Sequence, residues 1–217
     1  NGVSGRLQFS TGTTSSGTSG KIALTSGASA SGSSGAFKVV LGTSSTSEGG
    51  KLALASGVSS SLTGGAVSIL GGVGSAKSSG SVTIQSKNAG TNGVSGSLSF
   101  QTGASTSGSS GELNVHTGTA VGGRSGSLLV DIGTGSASYG GSIAINAGRT
   151  NSLTGGSVSM STGDGSISSS GAVRIKTPNA GTTGSSGSLK FATGTTSSGT
   201  SGELAFVSGG AVSGKAG

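Results

Sequence analysis

The sequence has no cysteine and no tryptophan, a single proline and a single histidine, and only 8% of its 217 residues are charged. Without cysteine there is no disulfide framework and no thiolate chemistry, and the redox compartment is unmarked. Five acidic residues are too few for the recurrent calcium turns of GGxGxDx-type solenoids. The longest apolar runs are short, as in SLLVDI at 127–132, which excludes a membrane-spanning helix. No signal peptide is visible and residue 1 is Asn; because the sequence begins and stops inside a repeating pattern, it reads as an excerpt of a longer polypeptide. Glycine supplies 48 residues, and serine and threonine most of the remainder. Composition alone describes a flexible linker.

The order of the residues argues differently. QSKNAGTNGVSGSLSFQTG at 85–103 returns as KTPNAGTTGSSGSLKFATG at 176–194, and NGVSGRLQFSTG at 1–12 is the tail of a third copy at the same 91-residue spacing. Beneath this lies a unit of fifteen residues, (Ser/Gly)-Gly-x-Φ-x-Φ-x-x-Gly followed by six small or polar residues, where Φ is apolar. Fourteen units begin at Ser4, Ser19, Ser34, Gly49, Gly64, Ser79, Ser95, Ser110, Ser125, Gly140, Gly155, Ser170, Ser186 and Ser201. Those at Ser79 and Ser170 carry a sixteenth residue, and six units with one such insertion make the 91-residue period. Residues 1–3 end a preceding unit, 4–94 and 95–185 are two super-repeats, and 186–217 begin a third.

Position 4 runs from Leu7 to Leu204 and position 6 from Phe9 to Phe206, and neither column admits a polar residue. Two apart, such side chains share one face of a strand, with the alternation of a half-buried β-segment. All five phenylalanines lie in these columns and every charged residue lies outside them. Glycine holds position 2 in all fourteen units and position 9 in all but two, where Lys87 and Pro178 stand. A glycine at fixed phase marks either a positive-φ corner or a close backbone approach, and each would cost about 1 kcal/mol inside a helix.

One strand and one corner-rich connection per unit predict an all-β fold, a parallel β-solenoid of about fourteen stacked fifteen-residue coils forming one continuous segment over 1–217. The alternative is a thirty-residue coil with two strands. The extra residue beside Lys87 and Pro178 predicts a bulged corner. Two large apolar side chains per fifteen residues cannot by burial alone offset the ordering of their backbone. The expected solenoid therefore depends on ladder hydrogen bonds between coils.

The sixteen-residue phrases, with cores such as GGSVSMSTG at 155–163, resemble the very large Gly/Ser/Thr-rich repetitive proteins of diatoms and related algae. The resemblance covers the whole chain and implies an extracellular or cell-surface location, in fibres, mucilage or adhesive trails. It carries no active-site residues with it.

The chemistry-bearing residues are sparse. His116 sits at an outward position with Glu112 and Asp131 as its nearest acids in sequence, and nothing singles out one serine as a nucleophile with an ordered base. GGVGSAKSSG at 71–80 has glycines near a lysine but not the phosphate-loop spacing. No catalytic, cofactor or metal site is expected. A threonine array for ice is too irregular, since outward triplets read Arg6-Gln8-Ser10 and Lys21-Ala23-Thr25. No aromatic platform for nucleic acid is exposed, Tyr139 being the one aromatic outside the columns. The functional expectation is a structural fibre or adhesive-matrix protein that self-associates end to end into filaments. The alternative is a module whose net charge of +7 holds an anionic polysaccharide or a mineral surface.

Overall fold

The computed structural model describes residues 4–136, 139–212 and 215. Residues 1–3, the expected end of a preceding unit, lie outside them. The chain divides into two units, Asn1–Leu113 and Asn114–Gly217, and one local course recurs within each.

That course follows the fifteen-residue repeat. The apolar segment of each repeat leads into a bend at positions 12–14, as at 15–17, 30–32, 45–47, 60–62 and 75–77 in the first unit and 121–123, 151–153, 166–168 and 197–199 in the second. The bend returns the chain so that position 2 of the following repeat meets position 8 of the preceding one. A Cβ on Gly20 would lie 3.4 Å from Thr11, on Gly111 3.6 Å from Thr102, on Gly126 3.3 Å from Thr117, and on Gly202 3.7 Å from Thr193. In the most regular loops the backbone closes the same circuit: Gly65 donates its N–H to Gly57 O at 2.9 Å, Gly80 to Gly72 O at 2.8 Å, Gly156 to Gly148 O at 2.9 Å, and Gly171 to Gly163 O at 3.0 Å. Of the two roles open to the position-2 glycines, close approach is filled at Gly65, Gly80, Gly126, Gly141, Gly156, Gly171 and Gly187, where a Cβ would come within 3.3 Å of a neighbour; at the others it would make ordinary contact or, at Gly5, meet nothing. Positive φ occurs elsewhere, at Gly17 (102°), Gly108 (134°) and Gly199 (119°), each at position 14, where a residue with Cβ would be strained.

These three glycines are 91 residues apart, and the longer period recurs throughout the local geometry. Ser59 Oγ accepts from the Leu62 N–H, and Thr150 Oγ1, 91 residues on, accepts from that of Leu153. Thr14 and Thr196, two periods apart, each donate the hydroxyl to the carbonyl two residues ahead. These short side-chain loops compete with regular structure for backbone partners. The inserted residue of the first sixteen-residue repeat accompanies a tight four-residue turn in which the Gly93 N–H reaches Gly90 O at 3.2 Å. Its counterpart bends at 182–184.

The expected β-solenoid is overturned, in both its fifteen- and its thirty-residue forms. Among the described residues there is no helix and no strand, so no ladder joins one repeat to the next, and the bulged corner has no strand to interrupt. Among the described residues no side chain is buried. The accessible surface is 21606 Å² for 19.8 kDa, whereas a folded monomer of that mass exposes about 8,600 Å² and an unfolded chain about 28,700 Å². The physical reason lies in the spacing of the apolar residues. Two large side chains per fifteen leave the ordering of a glycine-rich backbone unopposed unless a ladder forms. Here the backbone groups that pair across a loop close that loop instead.

The tightest loops identify glycines whose replacement has a local, readable effect. A Cβ on Gly165 would lie 2.6 Å from Ser169 O, and one on Gly74, its equivalent 91 residues earlier, would collide with the Ser78 carbonyl. By contrast, a Cβ on Gly163 meets nothing within 4 Å. Gly165→Ala is expected to open the loop and lose the Gly171 N–H to Gly163 O bond, while Gly163→Ala keeps it. A hydrogen bond is worth about 0.5–1.5 kcal/mol, so amide exchange at Gly171, followed by NMR, should accelerate about three- to tenfold in the first variant alone.

Candidate interaction face

The columns that define the repeat do not form a core, yet they are not placed at random. All twenty-eight column residues are between 51% and 81% exposed. Apolar residues of the loops stand nearly free, with Val58 at 98% and Val121 at 105%. The alternation read from the sequence survives in Leu128, Leu129 and Val130, at 63%, 84% and 66%: even positions share a partly sheltered face and odd positions look away from it.

Position 8 belongs to that face and was not singled out by its sequence. It carries Leu41 and Ile132, 91 residues apart and the most sheltered large apolar residues at 42% and 43%. Both rest on the position-2 glycine ahead of them: a Cβ on Gly50 would be 3.7 Å from Leu41 Cδ1, and one on Gly141 2.6 Å from Ile132 Cγ2. Elsewhere position 8 is Thr, Ser, Ala or Gly. That constancy beside an invariant glycine is the signal that could have revealed the contact.

At the last two repeats the columns come together. Phe191 and Phe206, both at position 6, meet edge to face with ring centroids 6.0 Å apart and an interplanar angle of 79°, the arrangement the aromatic quadrupole favours. Even there the rings remain more than half exposed. Each repeat thus presents a short apolar face that the chain itself leaves open.

The residues weighed for chemistry are not assembled into a site. His116, Glu112 and Asp131 are all exposed, and among the described residues no three metal-capable side chains gather and no cavity is present. The glycines of 71–80 serve loop closure: the bond from Gly80 to Gly72 is matched by that from Gly171 to Gly163, across a loop with no lysine. Lys77 lies at the bend, and no helix follows. Among the described residues no helix is long and apolar enough to cross a membrane. No protein-family model, no curated protein and no solved structure matches the chain.

Proposed function

We propose that this chain is a structural component of an extracellular fibre or adhesive matrix, and that it self-associates into filaments through the apolar face of its repeats. The observation that carries the reading is that face, formed by positions 4 and 6 in all fourteen repeats, joined by position 8 at Leu41 and Ile132, and nowhere buried. Exposed apolar surface in excess of what a monomer tolerates marks a site of association. A periodic face also offers a second copy many equivalent registers. Assembly by stacking of terminal coils falls away with the coils, and lateral contact between faces takes its place. The hydroxyl-rich loops remain in water and supply a hydrated adhesive surface. The resemblance to large repetitive algal proteins points to the same use and to a cell-surface location. Electron microscopy of the pure protein is expected to show filaments above a threshold concentration. A chain that stays monomeric at every concentration would remove the reading.

A second reading is favoured by a separate observation. Arg6, Lys21 and Lys51 occupy position 3 and Lys38 position 5 within the first four repeats, all at odd positions and all exposed. This arrangement suits an anionic polysaccharide or mineral surface, with attraction that salt screens. Retention on a sulfated polysaccharide column should be lost at lower salt when these four are changed to glutamine. Unchanged elution would dismiss polymer binding at these positions.

A further inference from the structure

The corner KNAGTNGV at 87–94 places an asparagine directly before a glycine at a turn exposed to water. The chain turns at Thr91 and Asn92, and the Gly93 N–H is held to Gly90 O at 3.2 Å, the long end of the hydrogen-bond range. Asn92 is exposed to water. The nitrogen following it belongs to a glycine, which has no side chain to shield it, and the corner takes little else there, since a Cβ on Gly93 would lie 3.3 Å from Ala89 Cβ. The equivalent site 91 residues later is Thr183, whereas 91 residues earlier the same pair recurs in the sequence as Asn1-Gly2, outside the described residues.

We propose that Asn92 is a site of spontaneous covalent modification, in which the Gly93 backbone nitrogen attacks the Asn92 side-chain amide and water then opens the resulting ring. In the first step an N–Cγ bond forms and the Cγ–Nδ2 bond breaks. The proton lost by the Gly93 nitrogen leaves with the amide group as ammonia, and a five-membered succinimide remains. In the second step one water adds to either ring carbonyl and breaks its bond to the ring nitrogen. Opening at Cγ yields aspartate, and opening at the main-chain carbonyl yields isoaspartate. The sum is one water consumed and one ammonia released, with no oxidation. The net charge of +7 falls by one, and the isoaspartate product also lengthens the main chain by one carbon within the inserted corner. The chemistry is independent of whether the chain assembles.

Other asparagines of the same chain provide the comparison. Asn88, in the same corner, is followed by alanine, as are Asn146 and Asn179, while Asn114 precedes valine and Asn151 serine. The intact chain is incubated in mildly alkaline heavy-oxygen water, and its peptides are then resolved by mass spectrometry. Residue 92 should take up one labelled oxygen about tenfold faster than residue 88, because only its neighbour lacks a shielding side chain, and the product should contain both aspartate and isoaspartate. Asn92→Thr should abolish uptake at that position and leave Asn88 unchanged. Equal rates at Asn92 and Asn88, or a product containing aspartate alone, would overturn the proposal.

Discussion

Heated in a scanning calorimeter as a dilute solution, the chain should give no cooperative endotherm. A globular domain of 217 residues absorbs about 150 kcal/mol at its transition and gains about 2.6–3.3 kcal/mol/K of heat capacity as its apolar interior meets water. Both quantities come from surface that is buried before heating and exposed after. Here no described side chain is buried, and the column residues already expose half or more of their area. The loop-closing hydrogen bonds at Gly65, Gly80, Gly156 and Gly171 each close a single loop between one repeat and the next and do not extend into a ladder, so each should open alone as the temperature rises. The expected trace is a shallow slope, accompanied by a far-ultraviolet circular dichroism spectrum without a strand minimum. A sharp transition of the size expected for a globular domain would show that the columns lie inside a core after all.

The second large effect is expected at the apolar face. Changing Ile175, Phe191 and Phe206 together to serine removes three consecutive position-6 side chains and the edge-to-face pair between the last two. Full burial of such a side chain is worth about 1.5–3 kcal/mol, and with half or more of each still exposed, the three forgo about 3–5 kcal/mol of the association free energy between copies. At about 1.4 kcal/mol per tenfold, the threshold concentration for filaments should rise by two or more orders of magnitude. Sedimentation of the assembled fraction against concentration measures this directly. The matched control changes Val40, Leu70 and Leu129, which sit at odd positions, and should move the threshold little. If both triple variants behave alike, the face has no role in assembly and only bulk hydrophobicity matters.

Much of the local organisation was legible beforehand, because it is carried by side chains acting on their near neighbours. The fifteen-residue phase of the bends, the division of even from odd positions and the 91-residue period all recur in the structure. The period recurs down to the hydroxyl contacts of Ser59 and Thr150. Position 8 was missed because Leu41 and Ile132 are diluted among threonines and serines. Its partner also lies nine residues ahead, across a loop, where strand periodicity says nothing. One histidine and five acids gave few candidates for chemistry, and His116, Glu112 and Asp131 are each exposed.

What the residues determined alone was therefore a rhythm: where the chain bends and which side chains share a face. Whether successive faces close over one another is a different kind of question, settled by tertiary balance. Two apolar side chains per fifteen-residue repeat are compatible with a stacked interior or with an open one, and the periodicity of the sequence is identical in both. Only the three-dimensional arrangement decided it. Its backbone bonds from position 2 of one repeat to position 9 of the preceding one are single loop closures that do not extend into a ladder, so the entropy of a glycine-rich chain is not recovered and the columns stay exposed.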